Sequence, residues 1–211
     1  MAEETIWGIH PGARGEAEDL FVRRKVIAVG WAQVGDLHRL REREDFKGAF
    51  VETFPDTKPG AISTGAGQLY RFVHEMQVGD LVVCPSKLAR EVRIGRVVGD
   101  YEYMPDANAQ YPNMRKVEWL KTVPRTSLSQ GALYEMGSAL TLFQIKSHAD
   151  EIMAIMEAEL IEIGDEDEEI TAIALDIEQQ TRDFVLKQLT RKLKGHPFCD
   201  FVAHLLERMK Y

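Results

Sequence analysis

The sequence predicts an α+β protein, a small barrel-like β-sheet with surrounding helices, followed by an α-helical C-terminal tail. Three observations predict it. Up to His148, short apolar runs bounded by Gly, Pro and Asn alternate with stretches of helical spacing. Beyond it, Ala149 to Ile163 and Ile170 to Leu193 keep helical spacing with no strand signal. The charge changes at the same place: residues 1–148 carry 19 basic and 19 acidic side chains, residues 149–211 carry 7 and 15.

The elements follow in order. Thr5 to His10 reads as a strand stopped by Pro11-Gly12, Glu16 to Arg24 as a helix, and Lys25 to Val29 as a buried strand ending at Gly30-Trp31. Asp36 can cap a helix start, and Arg39 to Phe50 has the spacing of a surface helix. Phe54 to Gly60, with two prolines, reads as a loop. Ser63 or Thr64 then caps a helix carrying Leu69, Phe72, Val73 and Met76 on one face. Strands follow at Asp80–Cys84, Val92–Tyr103 and Lys116–Val123, then a short helix at Gly131–Met136 and a last strand at Leu140–Ile145. Asp150 to Glu169 holds ten acids and no Lys or Arg, which suits a solvated connector. Phe198, Phe201, Val202, Leu205, Leu206 and Met209 give the final segment an apolar face that needs a partner.

Composition bounds the function. At 211 residues and 45% apolar the chain can bury an ordinary core, which excludes a disordered chain. The net charge of −8 argues against a protein that coats nucleic acid non-specifically. No apolar run approaches the ~20 residues of a membrane span, and the N-terminus lacks a signal-peptide pattern, so the expectation is a soluble cytoplasmic protein without a membrane partner. Cys84 and Cys199 form neither a disulfide framework nor a zinc site.

Catalytic motifs are missing from these residues. Gly65-Ala66-Gly67 precedes a helix without the Lys-Ser/Thr of a phosphate-binding loop. The two Asp-x-Lys triplets, Asp45-Phe46-Lys47 and Asp56-Thr57-Lys58, match the number chance gives for this composition. The six histidines lack the paired spacing of metal ligands, so no metal or cofactor is expected in this chain. The tryptophans carry more. Trp7 and Trp31 each stand beside a glycine (Gly8, Gly30), which leaves room for a flat ligand to stack on an indole. Filling the core is the other reading of both, and Trp119 and Cys84 read as core.

Several motifs in order carry a family resemblance. They are Thr5-Ile6-Trp7-Gly8-Ile9-His10, Val29-Gly30-Trp31-Ala32-Gln33-Val34-Gly35-Asp36-Leu37, the run from Ser63 to Phe72 leading into Met76-Gln77-Val78-Gly79-Asp80-Leu81-Val82-Val83, and Ile94-Gly95-Arg96-Val97-Val98-Gly99 with Val117-Glu118-Trp119. Together they resemble the EVE-like and YTH-like domains of the PUA superfamily, in the version fused to Mrr-type, modification-dependent restriction endonucleases. The resemblance covers about residues 4–146. Gly195 to Tyr211 is similar to the opening helix of the Mrr-type nuclease domain, with Asp200 where an acid can assist a metal site. Its Met209-Lys210-Tyr211 departs from that family's usual Met-Gly-Tyr. By this resemblance the catalytic strands, and an Mg²⁺-dependent endonuclease activity, lie after Tyr211.

The resemblance implies three parts: a PUA/EVE-like reader over 1–148, an acidic helical connector over 149–194, and a truncated nuclease-like helix over 195–211. The reader is expected to bind double-stranded DNA and accept a flipped, modified base. Trp31 would be the stacking wall, with Trp7, Gly8, His10, Ser63, Thr64, Gly65, Gln68 and Tyr70 around the base; Tyr101 and Tyr103 are further aromatic candidates. Arg23, Arg24, Lys25, Arg93 and Arg115 are the candidate phosphate contacts, or else solvated surface charge. A sensor of a small nucleotide, modified nucleoside or RNA that regulates a fused effector is the alternative. The helical tail makes a homodimer a further expectation.

Overall fold

The structure is a computed structural model that describes residues 5–158 and Arg208. The chain divides into two units, Met1–Glu159 and Leu160–Tyr211. The expected helix at 170–193, the nuclease-like segment with Asp200 and the dimerising tail lie outside the described residues.

Six strands form one mixed sheet: β1 (Ile6–Ile9), β2 (Val26–Val29), β3 (Leu81–Pro85), β4 (Glu91–Tyr103), β5 (Asn113–Pro124) and β6 (Leu142–Gln144). Their spatial order is β2-β5-β4-β3-β1-β6. β1 and β3 pair in parallel and every other pairing is antiparallel. The long β4–β5 ribbon shifts register after Ile94 and again after Val97, and such irregularities raise local twist. The sheet therefore curls into a half-barrel. Its end strands, β2 and β6, are not hydrogen-bonded to each other, so a seam stays between them.

Both faces of the sheet are covered. Trp7, Ile9, Val82 and Cys84 point into a core shared with α1 (Glu18–Arg24), α2 (Arg43–Thr53) and α3 (Pro59–Tyr70). Ile6, Leu81, Val83 and Ile94 enter a second core with α4 (Gln130–Met136) and α5 (Ala149–Glu157). Burial on both sides explains why β3 reads as an unbroken apolar run. Cys84 is core, and burial pushes its thiol up to about 12. Trp119 is half-buried on the first core, its indole donating to the Phe21 carbonyl at 3.0 Å.

Helix starts differ from the sequence expectation for local reasons. α2 begins at Arg43 because Glu42 and Asp45 form a reciprocal capping box; Asp36 instead accepts from the His38 N–H at 3.0 Å. α3 begins at Pro59, not at Ser63 or Thr64, because proline at the first position has its φ preset and no N–H to satisfy. Ser63, Thr64 and Gly65 are therefore helical, and the Thr64 hydroxyl donates back to the Gly60 carbonyl at 2.9 Å.

The first unit also runs past His148. Ile152 of α5 is fully buried. Glu151 accepts from the N–H and hydroxyl of Ser129, and Lys121 donates to the Ile155 and Ala158 carbonyls. The acidic stretch thus begins as a docked amphipathic helix, with Asp150 and Glu157 exposed and Glu151 engaged on Ser129. No described helix is long and apolar enough to cross a membrane.

Candidate functional site

A cleft of about 530 Å³ opens at the seam. One wall comes from the chain just after β2 (Trp31), the other from the chain just before β6 (Ala139, Leu140), and α3 spans the floor with Gly60, Ala61, Thr64, Gly65 and Gln68. Phe50 and Phe54 of the α2 end complete it with Thr57. None of these side chains carries a formal charge. The cleft suits a flat, uncharged group with a few hydrogen-bonding edges rather than acid–base chemistry.

Trp31 is held in an unusual state. Its backbone is left-handed (φ 60°, ψ 41°), a conformation that bulky residues seldom adopt. The indole is half-buried and packs edge-on to Phe50, with ring centroids 6.0 Å apart. Phe50 in turn lies on the Cα of Gly65: a Cβ there would sit 2.5 Å from its ring. Gly65 thus lets Phe50 seat against α3, and Phe50 backs Trp31. On its other side Trp31 borders a second cleft of about 490 Å³, lined by Gly30, Ala32, Gln33, Ala109, Gln110 and Tyr111.

Gln68 fixes the opposite wall. It is buried, and its amide oxygen accepts from the N–H groups of Thr141 (2.8 Å) and Leu142 (3.0 Å) while its NH₂ donates to the Thr64 carbonyl. One side chain of α3 therefore carries the entry of β6.

Of the nine sequence-predicted base contacts, the structure gathers Trp31, Thr64, Gly65 and Gln68 in one cleft. The other five are elsewhere. Trp7 is in the core, 1% exposed, its indole donating to Asp80 at 2.8 Å. Gly8 makes room for the Phe143 ring and not for a ligand. His10 is buried against Phe143 with Nε2 on the Ser138 carbonyl at 3.0 Å; burial first, then the charge of Lys87, lowers its pKa. Ser63 is exposed beside the cleft as a helical residue rather than a turn donor. Tyr70 packs on Phe46 and His74 beneath the Arg43 guanidinium. The further candidate Tyr101 is also core, holding the Leu37 N–H and Asn113 through its hydroxyl.

The candidate phosphate contacts do not form one patch. Arg115 is 3% exposed, and its guanidinium donates to the carbonyls of Phe72, Val73 and Gly99. Arg93 is largely covered and pairs with Glu18 at 2.7 Å and Glu91 at 2.6 Å. Arg23 is exposed and pairs with Asp19 one helical turn away; Arg24 and Lys25 are exposed at the end of α1, where Lys25 is the left-handed cap.

Phe50, Phe54 and Leu140 were missed by sequence reasoning. Phe46, Phe50 and Phe54 recur every four residues, which was the available signal for an aromatic helix face; nothing local marks Leu140. The most specific resemblance motif proves architectural. In Val78-Gly79-Asp80, the Asp80 carboxylate accepts from Gln77 N–H and the Trp7 indole, and Arg96 of Ile94-Gly95-Arg96-Val97 donates to the Gly79 carbonyl at 2.6 Å. No curated protein matches the chain. A family model described as a domain of unknown function, DUF8426, matches residues 7–146, and the chain belongs to that family.

Proposed function

We propose that this domain is the reader module of a modification-dependent restriction system: it binds duplex DNA, receives an extruded modified base in the seam cleft, and targets a fused nuclease. The observation that carries the reading is Trp31, an indole held on a left-handed backbone in the wall of an uncharged cleft whose polar side chains are Thr57, Thr64 and Gln68. Backbone strain of this kind persists where the surroundings impose it, and it clusters at ligand sites. The cleft volume falls in the range of small-ligand sites, so it has room for a base. Stacking on Trp31 and Phe54 would supply affinity, and Thr57, Thr64 and the spare Gln68 N–H would read the base edge. The resemblance of residues 4–146 to EVE-like domains supports the same assignment.

The first turn of α3, Gly60 and Ala61, also lines the cleft, and a helix N-terminus favours anions. That observation favours the second reading, a sensor of a free nucleotide. Titrating the chain with matched DNA duplexes, modified and unmodified, separates the two. Preference for modified duplex, lost by roughly 5- to 100-fold in Trp31→Ala, is expected. Equal affinity for both duplexes would sink the reader assignment, and tight binding of a free nucleotide alone would replace it with the sensor.

A further inference from the structure

We infer that the β3–β4 hairpin tip, Ser86 to Arg90, is a second nucleic-acid element that presses the Leu88 side chain into the base stack of duplex DNA beside the seam cleft. The inference rests on the reader assignment and adds to it how the base leaves the helix.

Leu88 is 74% exposed, yet the tip that carries it is firmly built. The Ser86 hydroxyl accepts from the N–H groups of Leu88 (3.1 Å) and Ala89 (2.7 Å) and donates to Glu18 at 2.6 Å. The other Glu18 oxygen accepts the Lys87 N–H at 3.2 Å. Glu18 is itself buried and ion-paired with Arg93. A buried carboxylate, a buried serine and an ion pair thus hold three consecutive backbone positions whose own side chains face water. Little of that order serves the core. It fixes where an exposed leucine projects.

The charges around the tip match a phosphate backbone. Lys87 and Arg90 flank Leu88, and both are exposed. Gly15 approaches the Lys87 and Leu88 side chains, which places exposed Arg14 alongside, and exposed Arg125 donates its N–H to the Arg90 carbonyl. An apolar wedge among cations is the arrangement by which proteins unstack a base step.

Topology puts the tip beside the cleft. β1 and β3 run parallel and β6 runs against them, so Thr141, His10 and Ser86 emerge at one end of the sheet. β6 and β3 are separated only by β1, a span of roughly 10 Å. Contacts bridge that span: Ala139 lines the cleft, its neighbour Ser138 holds His10, and the turn that follows His10, with Gly12 donating to its carbonyl at 2.8 Å, brings Gly15 against the Lys87 and Leu88 side chains. A base extruded toward Trp31 would leave a gap in the stack within reach of Leu88.

Fluorescence of 2-aminopurine, placed next to the modified base in a duplex and titrated with the full chain, tests this. The natural chain should raise the signal as the neighbouring stack opens. Leu88→Ala should weaken duplex binding by about tenfold and abolish the rise, while its affinity for the same modified strand left single stays unchanged. Leu88→Phe should retain both duplex properties, and Lys87→Ala should flatten the salt dependence of duplex binding by about one counterion. Leu88 lies outside both cores, so the variants report on binding. If the natural chain prefers modified DNA and Leu88→Ala matches it on the duplex, the wedge is overturned and the reader stands. Loss of Leu88→Ala binding on single strand as well, or an effect confined to duplex RNA, also overturns the wedge. If the natural chain binds no DNA, both fall.

Discussion

The Asp80 carboxylate accepts the indole N–H of Trp7 at 2.8 Å across the parallel β1–β3 pair. The same oxygen accepts the Gln77 N–H, so one carboxylate closes the turn into β3 and anchors the largest side chain of the core. The Trp7 and Val-Gly-Asp motifs are two halves of one joint.

Asp80→Ala should therefore act on stability and not on recognition. Removing the acceptor leaves the buried Trp7 indole N–H unpaired and frees the exposed Gln77 N–H to water, a loss of about 2 kcal/mol in urea denaturation. Affinity for modified duplex, measured where the variant is folded, should match the natural chain. A stability change under about 0.5 kcal/mol would contradict the joint.

Trp31 offers a sharper contrast. Glycine adopts φ near 60° without strain, whereas alanine does not. Trp31→Gly should be more stable than Trp31→Ala by about 1 kcal/mol, although both lose the indole and both lose modified-base binding. The comparison is made by chemical denaturation of the two variants side by side. Alanine equal to or better than glycine would mean the backbone relaxes out of the left-handed region.

Gly65→Ala sets helix propensity against packing. In an open helix the change would gain about 1 kcal/mol. Here the new Cβ meets the Phe50 ring, so a net loss of about 1–2 kcal/mol is expected, with weaker base binding as Phe50 and Trp31 shift. Adding Phe50→Leu should recover part of the stability but not the binding. Thermal unfolding of the single and double variants decides it.

Glu18 makes the hairpin anchor sensitive to acid. Burial raises its pKa, but hydrogen bonds from Ser86, Arg93 and the Lys87 N–H outweigh burial, so the folded value lies below the ordinary 4.5. Its stabilising contribution is then complete above pH 4.5 and is lost as pH falls through the lowered folded value. Glu18→Gln should be less stable than the natural chain at pH 7, with the gap narrowing below pH 4.5. Urea midpoints across pH 7 to about 3 measure the gap. A gap that stays constant would show that the carboxylate's charge is irrelevant.

Arg115 and Arg93 explain why charge was the least legible part of the sequence. Both sit in strands among other basic residues and look like surface cations. Yet one guanidinium satisfies the carbonyls of Phe72, Val73 and Gly99, and the other neutralises a buried glutamate. Such partners lie 16 to 75 positions away, beyond any local pattern. Strand identities were legible because β1, β2, β3 and β6 are short buried apolar runs, while the longer β4 and β5 mix buried apolar with exposed polar positions. The α3 start was mistaken because Pro59 initiates the helix where punctuation suggested a loop. Trp31, Thr64, Gly65 and Gln68, named in the sequence through their neighbours in the motifs, line one cleft; Phe50 and Leu140 join them only because the curled sheet brings its two ends together.

The seam has a mechanical consequence. Its walls, Trp31 and Leu140, are more than a hundred positions apart along the chain and belong to opposite margins of the sheet. A ligand lodged between them would act as a rivet, a removable cross-link closing a very long loop. Its binding energy would then be felt as slower amide exchange in β2 and β6 together, far more than in the strands between them. Occupancy of a small cleft would be broadcast as stiffness at both rims of the domain.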